Sequence, residues 1–247
     1  MYFYCFDSFL SNKKYQKVLA KIEKRIIDLG IEGKFEHLTI LKNLEELIRE
    51  VIKKGAKTIV AVGNDQTVAQ IINTIADNDI VLGIIPVGRK NKIAKLLGIP
   101  KGELACDVIS NRLIENIDLG KINHHYFLTS LKIINPEMAL ECDDNYKVIP
   151  PSSQEINIFN LDWRGKKIFN PKDGVLETFI NPVSSWKSIF KAQKESLFPV
   201  KKVKVIELNK EKPSKIIVDG LKVLKRPITI KIAPQQLKVI VGKERKF

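Results

Sequence analysis

Residues 63–67 of this 247-residue chain read Gly-Asn-Asp-Gln-Thr, directly behind the apolar, β-branched run 58–62. A strand that stops at a glycine and reopens as a helix leaves backbone N–H groups without intrahelical partners. Those donors and the helix dipole both favour an incoming anion such as a phosphate. Each residue of the turn also has a purely structural reading. Gly63 suits a tight turn, Asn64 tolerates turn backbone, and Asp65 and Thr67 are good helix caps. A second strand–turn–helix follows. Residues 80–88 read Ile-Val-Leu-Gly-Ile-Ile-Pro-Val-Gly, then come Arg89-Lys90-Asn91-Lys92 and the apolar helix 93–97. Asn91 there either contacts a ligand or caps the helix. Arg89 and Lys90 either hold a phosphate by charge or form a solvated loop. Thr39, between a strand and a helix, has the same two readings. Late in the chain, Asp219-Gly220 is either a hairpin turn or part of a catalytic or metal site. His124-His125 read as lying on a strand with alternating sides and, without partner carboxylates or cysteines nearby, as structural, while Trp163 and Trp186 read as core or interface aromatics.

The elements that would position these residues follow from periodicity. Residues 2–6 read as a strand, and Ser11 or Asn12 can cap a helix running to about residue 29, closed by Gly30. A strand at 34–38 and a helix at 41–54 follow, then strand 57–62, helix 67–77, strand 80–85 and helix 91–98. This alternation predicts a doubly wound parallel α/β domain with ligands at the C-terminal edge of its strands. Beyond about residue 116 the pattern changes to short alternating segments at 126–133, 156–161, 202–208, 215–218, 227–232 and 237–241. Turns at 162–165 and 170–174 punctuate them. The expected division is an α/β domain at 1–116 and a smaller, mainly antiparallel β-sandwich domain at 117–247.

Composition narrows the function classes. Hydrophobic residues make up 44% and charged residues 28% of the chain, ordinary for a globular protein. No apolar run reaches the roughly 18–20 residues that a membrane span requires. No cationic segment followed by a signal-type core opens the chain. Cys5, Cys106 and Cys142 are scattered and odd in number, which predicts reduced thiols, no zinc site and a cytoplasmic location. The formal net charge is +14, and residues 187–247 carry 15 Lys and 2 Arg against 4 Glu and 1 Asp, a surplus of +12. Such a segment attracts polyanions or is a solvated lysine-rich surface. No aromatic-rich strand pair resembles an RNA-stacking platform, so nucleic acid is disfavoured.

The two turns together resemble the diacylglycerol kinase and sphingosine kinase catalytic family, related in fold to NAD kinases. That family carries a Gly-Gly-Asp-Gly-Thr loop, then a strand entering Pro-x-Gly-Thr-x-Asn-Asp and a helix that often ends Leu-Gly-Ile-Pro. Gly63, Asp65, Thr67, Pro86, Gly88, Asn91 and Leu97-Gly98-Ile99-Pro100 match in order and spacing. Asp118-Leu119-Gly120 resembles the family's entry into its second domain, and Val218-Asp219-Gly220 its late Asp-Gly-Glu motif. The resemblance covers residues 1–135 and about 200–242. It implies ATP and Mg²⁺ as cofactors, with Thr39, Gly63, Asn64, Asp65, Thr67, Gly88 and Asn91 binding the nucleotide. It also implies phosphoryl transfer to a lipid hydroxyl, and it favours anionic lipid as the partner of the basic segment 187–247, with the protein peripheral at the membrane. The departures are chemical. Asn64 and Gln66 replace loop glycines, Arg89 and Lys92 replace a hydroxyl and a carboxylate, and Leu221 stands where the family has the glutamate that serves as general base. Asp219 is then the nearest acid for a catalytic role. The alternative implied by these departures is a catalytically inactive kinase-like module that binds a nucleotide, a phosphometabolite or an anionic membrane surface.

Overall fold

Long β-branched runs that alternate with amphipathic segments build the first half of the chain, as a computed structural model shows. The structure describes residues 1–38, 44–134, 138–150, 155–164, 167–181, 196–207, 215–223 and 228–247. Two units form, one from Met1–Ile117 with Gln235–Phe247 and one from Asp118–Pro234.

In the first unit the order is β1 (Tyr2–Phe6), α1 (Gln16–Asp28), β2 (Gly33–His37), α2 (Leu44–Lys53), β3 (Thr58–Gly63), α3 (Asp65–Ile75), β4 (Val81–Pro86), α4 (Lys92–Leu96) and α5 (Leu104–Asn111). The strands are parallel in the order β2-β1-β3-β4. Every residue of β3 and β4 is buried, which is why both read as unbroken apolar runs and not as an alternation. The helix α3 buries Val68, Ala69, Ile71, Ile72 and Ile75 on one face. Two short 3₁₀ turns, Ser8–Ser11 and Lys13–Tyr15, precede α1 where a continuous helix was expected. The side chains of Asp7 and Asn12 cap them locally and compete with helix propagation.

The second unit begins within β5 (Ile114–Ile122) and continues with β6 (His125–Phe127), β7 (Ser130–Ile134), β8 (Met138–Cys142), β9 (Tyr146–Val148), β10 (Glu155–Phe159), β11 (Asp162–Arg164), β12 (Lys167–Phe169), β13 (Leu176–Asn181), β14 (Ser196–Val200), β15 (Lys202–Glu207), β16 (Lys215–Val218), β17 (Leu221–Val223) and β18 (Ile228–Ile240). One antiparallel sheet runs β14-β13-β10-β7-β16-β17. A second set of antiparallel pairs joins β15 to β8 and to the first part of β18. Leu131, Ile156, Leu176 and Ile216 of the one sheet share a core with Leu140, Val203 and Ile230 of the other. This is the expected sandwich, and the α/β-plus-antiparallel architecture stands as read from the sequence.

Three local readings change. Residues 162–164 are a strand paired with Lys167–Phe169, not a turn. His124 sits in the β5–β6 turn beside Asn123 at φ +52°, and only His125 is in a strand. The last strand is divided, whereas the expected second domain ran from 117 to the C-terminus. Val203 and Val205 pair antiparallel with its early residues, but Lys238 and Val239 lie parallel beside Val81 and Leu82 of β4. The tail then locks onto α4. The Gly242 N–H donates to the Leu97 carbonyl and the Lys246 N–H to the Leu96 carbonyl, both at 2.9 Å. A side chain at Gly242 would sit 1.8 Å from the Gly98 carbonyl oxygen, so this approach requires glycine.

Candidate nucleotide site

The C-terminal ends of the adjacent strands β3 and β4 bring the two turns together. Val87 donates its N–H to the Gly63 carbonyl at 2.8 Å, and the Asp65 N–H donates to the Lys90 carbonyl at 2.9 Å. Gly63, Asn64, Asp65, Thr67, Gly88 and Asn91 therefore form one cluster. Thr39 lies outside the described residues.

Within the first turn, Asn64 caps α3. Its Oδ1 accepts the N–H groups of Gln66 at 2.9 Å and Thr67 at 3.3 Å, while Thr67 Oγ1 accepts the Asn64 N–H at 3.2 Å. This reciprocal box satisfies donors that would otherwise face solvent or a ligand. The buried Thr67 hydroxyl in turn donates to Asp7 Oδ2 at 2.6 Å. Asp7 is tied to β3 by its own N–H, which donates to the Val62 carbonyl at 3.0 Å, and its Oδ1 accepts from the Phe9 N–H. Asp7 is the residue that sequence spacing missed, since it lies 60 positions from its partner.

Gly63 is required by this arrangement. A Cβ there would lie 2.3 Å from Thr67 Oγ1. Gly63→Val is expected to break the box and the Thr67–Asp7 bond and to destabilise the first unit by about 2–3 kcal/mol. Amide hydrogen exchange at residues 64–68 beside the wild type checks this. Unchanged protection would show that the turn has room the structure lacks.

Asp65 reaches the second turn. Its two carboxylate oxygens accept the N–H groups of Lys92 at 2.8 Å and Ile93 at 2.9 Å, so it caps α4 from 27 residues away. Asn91 is thereby released from the capping role its position suggested, and it makes no side-chain cap bond. Its Nδ2 donates to the Gly88 carbonyl at 3.0 Å, which fixes the amide orientation. Its Oδ1 is buried and has no hydrogen-bond partner. Gly88 has φ +84°, and a Cβ there would press on the Phe9 ring at 3.1 Å. Gln66, Arg89 and Lys90 are exposed around the turn.

Asp219 belongs to the second unit. With Gly220 it forms a two-residue hairpin loop between paired Val218 and Leu221, at φ +45° and +82°, the mirror-image turn that Asp-Gly favours. Its carboxylate accepts the N–H groups of Leu128 and Thr129 at 2.8 Å and of Ser130 at 3.1 Å, and the Thr129 hydroxyl at 2.5 Å. Burial pushes its pKa up, and these donors oppose the shift. The backbone at Leu221 opens β17.

Charge on the C-terminal segment is partly matched within the chain. Lys202 pairs with Asp144 at 2.8 Å, Lys204 with Glu141 at 3.5 Å, Lys238 with Asp79 at 2.5 Å and Arg245 with Glu115 at 2.9 Å. Cys5, Cys106 and Cys142 are buried free thiols. Among the described residues no helix is long and apolar enough to cross a membrane, and no group of three or more His, Cys, Asp or Glu could hold a metal ion.

Known proteins resemble this chain in sequence over its first half and in fold over its length. Residues 7–122 match the family model for the diacylglycerol kinase catalytic domain. A diacylglycerol kinase of Bacillus subtilis (strain 168) is 31% identical over 118 residues, 46% of this chain and 39% of that protein. One of Mycobacterium tuberculosis (strain CDC 1551 / Oshkosh) is 31% identical over 107 residues, 42% of this chain and 33% of that protein. The chain thus spans well under half the length of these relatives in the matched region. The crystal structure of a diacylglycerol kinase from Bacillus anthracis str. Sterne shares the fold, with a TM-score of 0.77 and 18% identity over 98% of this chain and 97% of that one.

Proposed function

We propose that this chain, whose residues 7–122 belong to the diacylglycerol kinase catalytic family, binds ATP at the joined β3 and β4 turns and transfers its terminal phosphoryl group slowly to a lipid hydroxyl. The observation that carries the nucleotide reading is Asn91. Its Oδ1 is a buried acceptor without a partner, held in place at the strand edge where α/β proteins bind ligands. A buried acceptor left unmade costs about 1–3 kcal/mol, and an amino or hydroxyl group of the nucleotide would satisfy it.

Slow turnover follows from the rest of the site. The N–H groups of Asn64, Asp65, Gln66 and Thr67 already have internal acceptors, so phosphate oxygens must compete for them. The Asp65 oxygens are engaged by α4. Among the described residues no group of three or more His, Cys, Asp or Glu is gathered to hold a metal ion, so Mg²⁺ would arrive with the ATP phosphates and would supply charge neutralisation on the transferred group. Exposed Arg89 and Lys90 add positive charge beside the phosphates. Where the family resemblance implies a glutamate base this chain has Leu221, and the Asp219 carboxylate two residues earlier is saturated by four donors. The same facts favour the second reading, a module that binds nucleotide without chemistry.

Titration of ATP into the purified chain with and without Mg²⁺ tests the reading. Binding that strengthens with Mg²⁺ is expected. Asn91→Ala should weaken it about tenfold, near 1.4 kcal/mol. No heat at millimolar ATP in the folded wild type would overturn the nucleotide assignment. Binding without label transfer to diacylglycerol would leave the second reading standing.

A further inference from the structure

The parallel sheet of the first unit ends at β2 (Gly33–His37), and among the described residues no strand pairs with the far side of that strand. One bond shows which groups face outward. Leu38 donates its N–H to the Phe6 carbonyl of β1 at 2.9 Å. Backbone direction alternates along a strand, so Lys34 and Glu36 also turn their N–H and C=O groups toward β1, and Gly33, Phe35 and His37 turn theirs outward. A row of backbone donors and acceptors on an open edge is a template for another strand. The side chains along this edge are ordered as well. Phe35 is 38% exposed, and its ring packs edge-on against Tyr4 and Phe6 at 5.2 and 5.7 Å between centroids. His37 stacks on Phe6 at 4.6 Å. Lys34 is exposed on the opposite face, its ammonium 5.8 Å from the centre of the Phe3 ring.

The strand reads Gly-Lys-Phe-Glu-His, which is complementary to its own reverse. With two copies antiparallel about a two-fold axis at Phe35, that residue lies opposite the partner's Phe35, and the two exchange both main-chain hydrogen bonds. Gly33 lies opposite the partner's His37, again as a hydrogen-bonded pair, and a ring from across the seam covers the glycine. The fold itself keeps a side chain off Gly33, since a Cβ there would lie 2.4 Å from the Tyr2 carbonyl oxygen. On the other face Lys34 lies opposite the partner's Glu36, in the position between hydrogen-bonded pairs where side chains are closest. Charge also selects this register. A slip of two residues in one sense sets Glu36 against the partner's Glu36, and in the other sense Lys34 against the partner's Lys34, and like charges directly opposite are destabilising. Glu36 has an interaction within its own chain as well. The backbone edge and Phe35 carry the pairing, and the charges choose among registers.

We propose that two copies of this chain associate through β2, joining their parallel sheets across an antiparallel two-fold seam. Closed two-fold pairing is the commonest form of self-association. The strand contributes 5 residues a side, few against the roughly 20–30 of a standard interface, so the dimer is reversible and depends on concentration. The nucleotide turns follow β3 and β4, and β1 stands between those strands and the seam. Association and ATP binding are therefore independent, and neither reading requires the other.

The test is sedimentation velocity of the full chain from about 5 µM to about 500 µM. The weight-average coefficient should rise with concentration from that of a monomer toward that of a dimer. Lys34→Glu and Glu36→Lys each set like charges across the seam, and the axis repeats the contact, so each variant alone should associate about tenfold more weakly or worse. An equimolar mixture of the two variants sets opposite charges at both positions and should restore association. Lys34→Glu/Glu36→Lys in one chain should restore it too. Restoration also shows that the single variants are folded. A monomer throughout the range, single variants that associate like the wild type, or a mixture no tighter than its components would overturn the proposal. ATP titrated into the same proteins separates the two readings. If the wild type binds no ATP but mixing restores the dimer, the nucleotide assignment falls and the seam stands. If ATP binds and the mixture stays monomeric, the seam alone falls.

Discussion

Asp219→Ala is expected to lower the stability of the second unit by about 3–5 kcal/mol. The carboxylate gathers three backbone N–H groups and a hydroxyl from residues 128–130, and its own N–H donates to the Ser130 carbonyl. Alanine keeps the last bond and removes the other four. Each donor left buried without a partner costs about 1–3 kcal/mol, with water recovering part of the sum. Alanine at φ +45° adds roughly 1–2 kcal/mol of its own, because aspartate tolerates the left-handed region better. Asp219→Asn keeps one oxygen and should lose less than half as much. Amide hydrogen exchange is the suitable measurement, since a two-unit chain has no single unfolding free energy. Protection at residues 128–130 should fall about a hundredfold or more in the alanine variant. Unchanged protection there would mean that the carboxylate is dispensable to the turn and free for chemistry.

This result would settle a choice that spacing alone left open. Asp-Gly between two apolar runs announces a hairpin, and the pairing of Val218 with Leu221 has that form. What the sequence could not show is which distant backbone the aspartate would serve, because its partners lie about 90 residues earlier. The same limit applies at the nucleotide turns. Asn64 and Thr67 are three apart, so their reciprocal capping is a local motif, yet the sequence reading puts the caps at Asp65 and Thr67 and gives Asn64 only turn tolerance. The Thr67–Asp7 bond and the capping of α4 by Asp65 join residues 60 and 27 positions apart. Periodicity carries no information about such partners.

Fold legibility followed the same rule. Strands β3 and β4 are buried on both faces, so their apolar runs stood out and placed the glycine turns at the sheet's ligand edge. The last strand misled because its two parts have similar alternation. Only the neighbours differ, antiparallel β15 for the first part and parallel β4 for the second. Residues 235–247 therefore left the expected second domain.

On the proposed kinase reading, Leu221→Glu is expected to raise phosphoryl transfer to diacylglycerol by about 10²-fold or more. Leucine cannot accept the proton of an attacking hydroxyl, and a positioned general base is worth about 10²–10⁴-fold, or roughly 3–5 kcal/mol of barrier. The position opens β17 directly after the Asp219-Gly220 loop, whose backbone is fixed by the bonds to residues 128–130. The measurement is transfer of labelled γ-phosphate from Mg·ATP to diacylglycerol in mixed vesicles, comparing wild type, Leu221→Glu and Leu221→Gln. Glutamine has the size and polarity of glutamate without its basicity, so it should leave the rate at the wild-type level. The gain in the glutamate variant should also vanish as the pH falls through the carboxylate range, because only the ionised form takes a proton. Equal rates in the two variants would show that the missing base is not what limits this protein. The internally satisfied donors at residues 64–67 would then be the obstacle, and the chain would be a binding module built on a kinase fold.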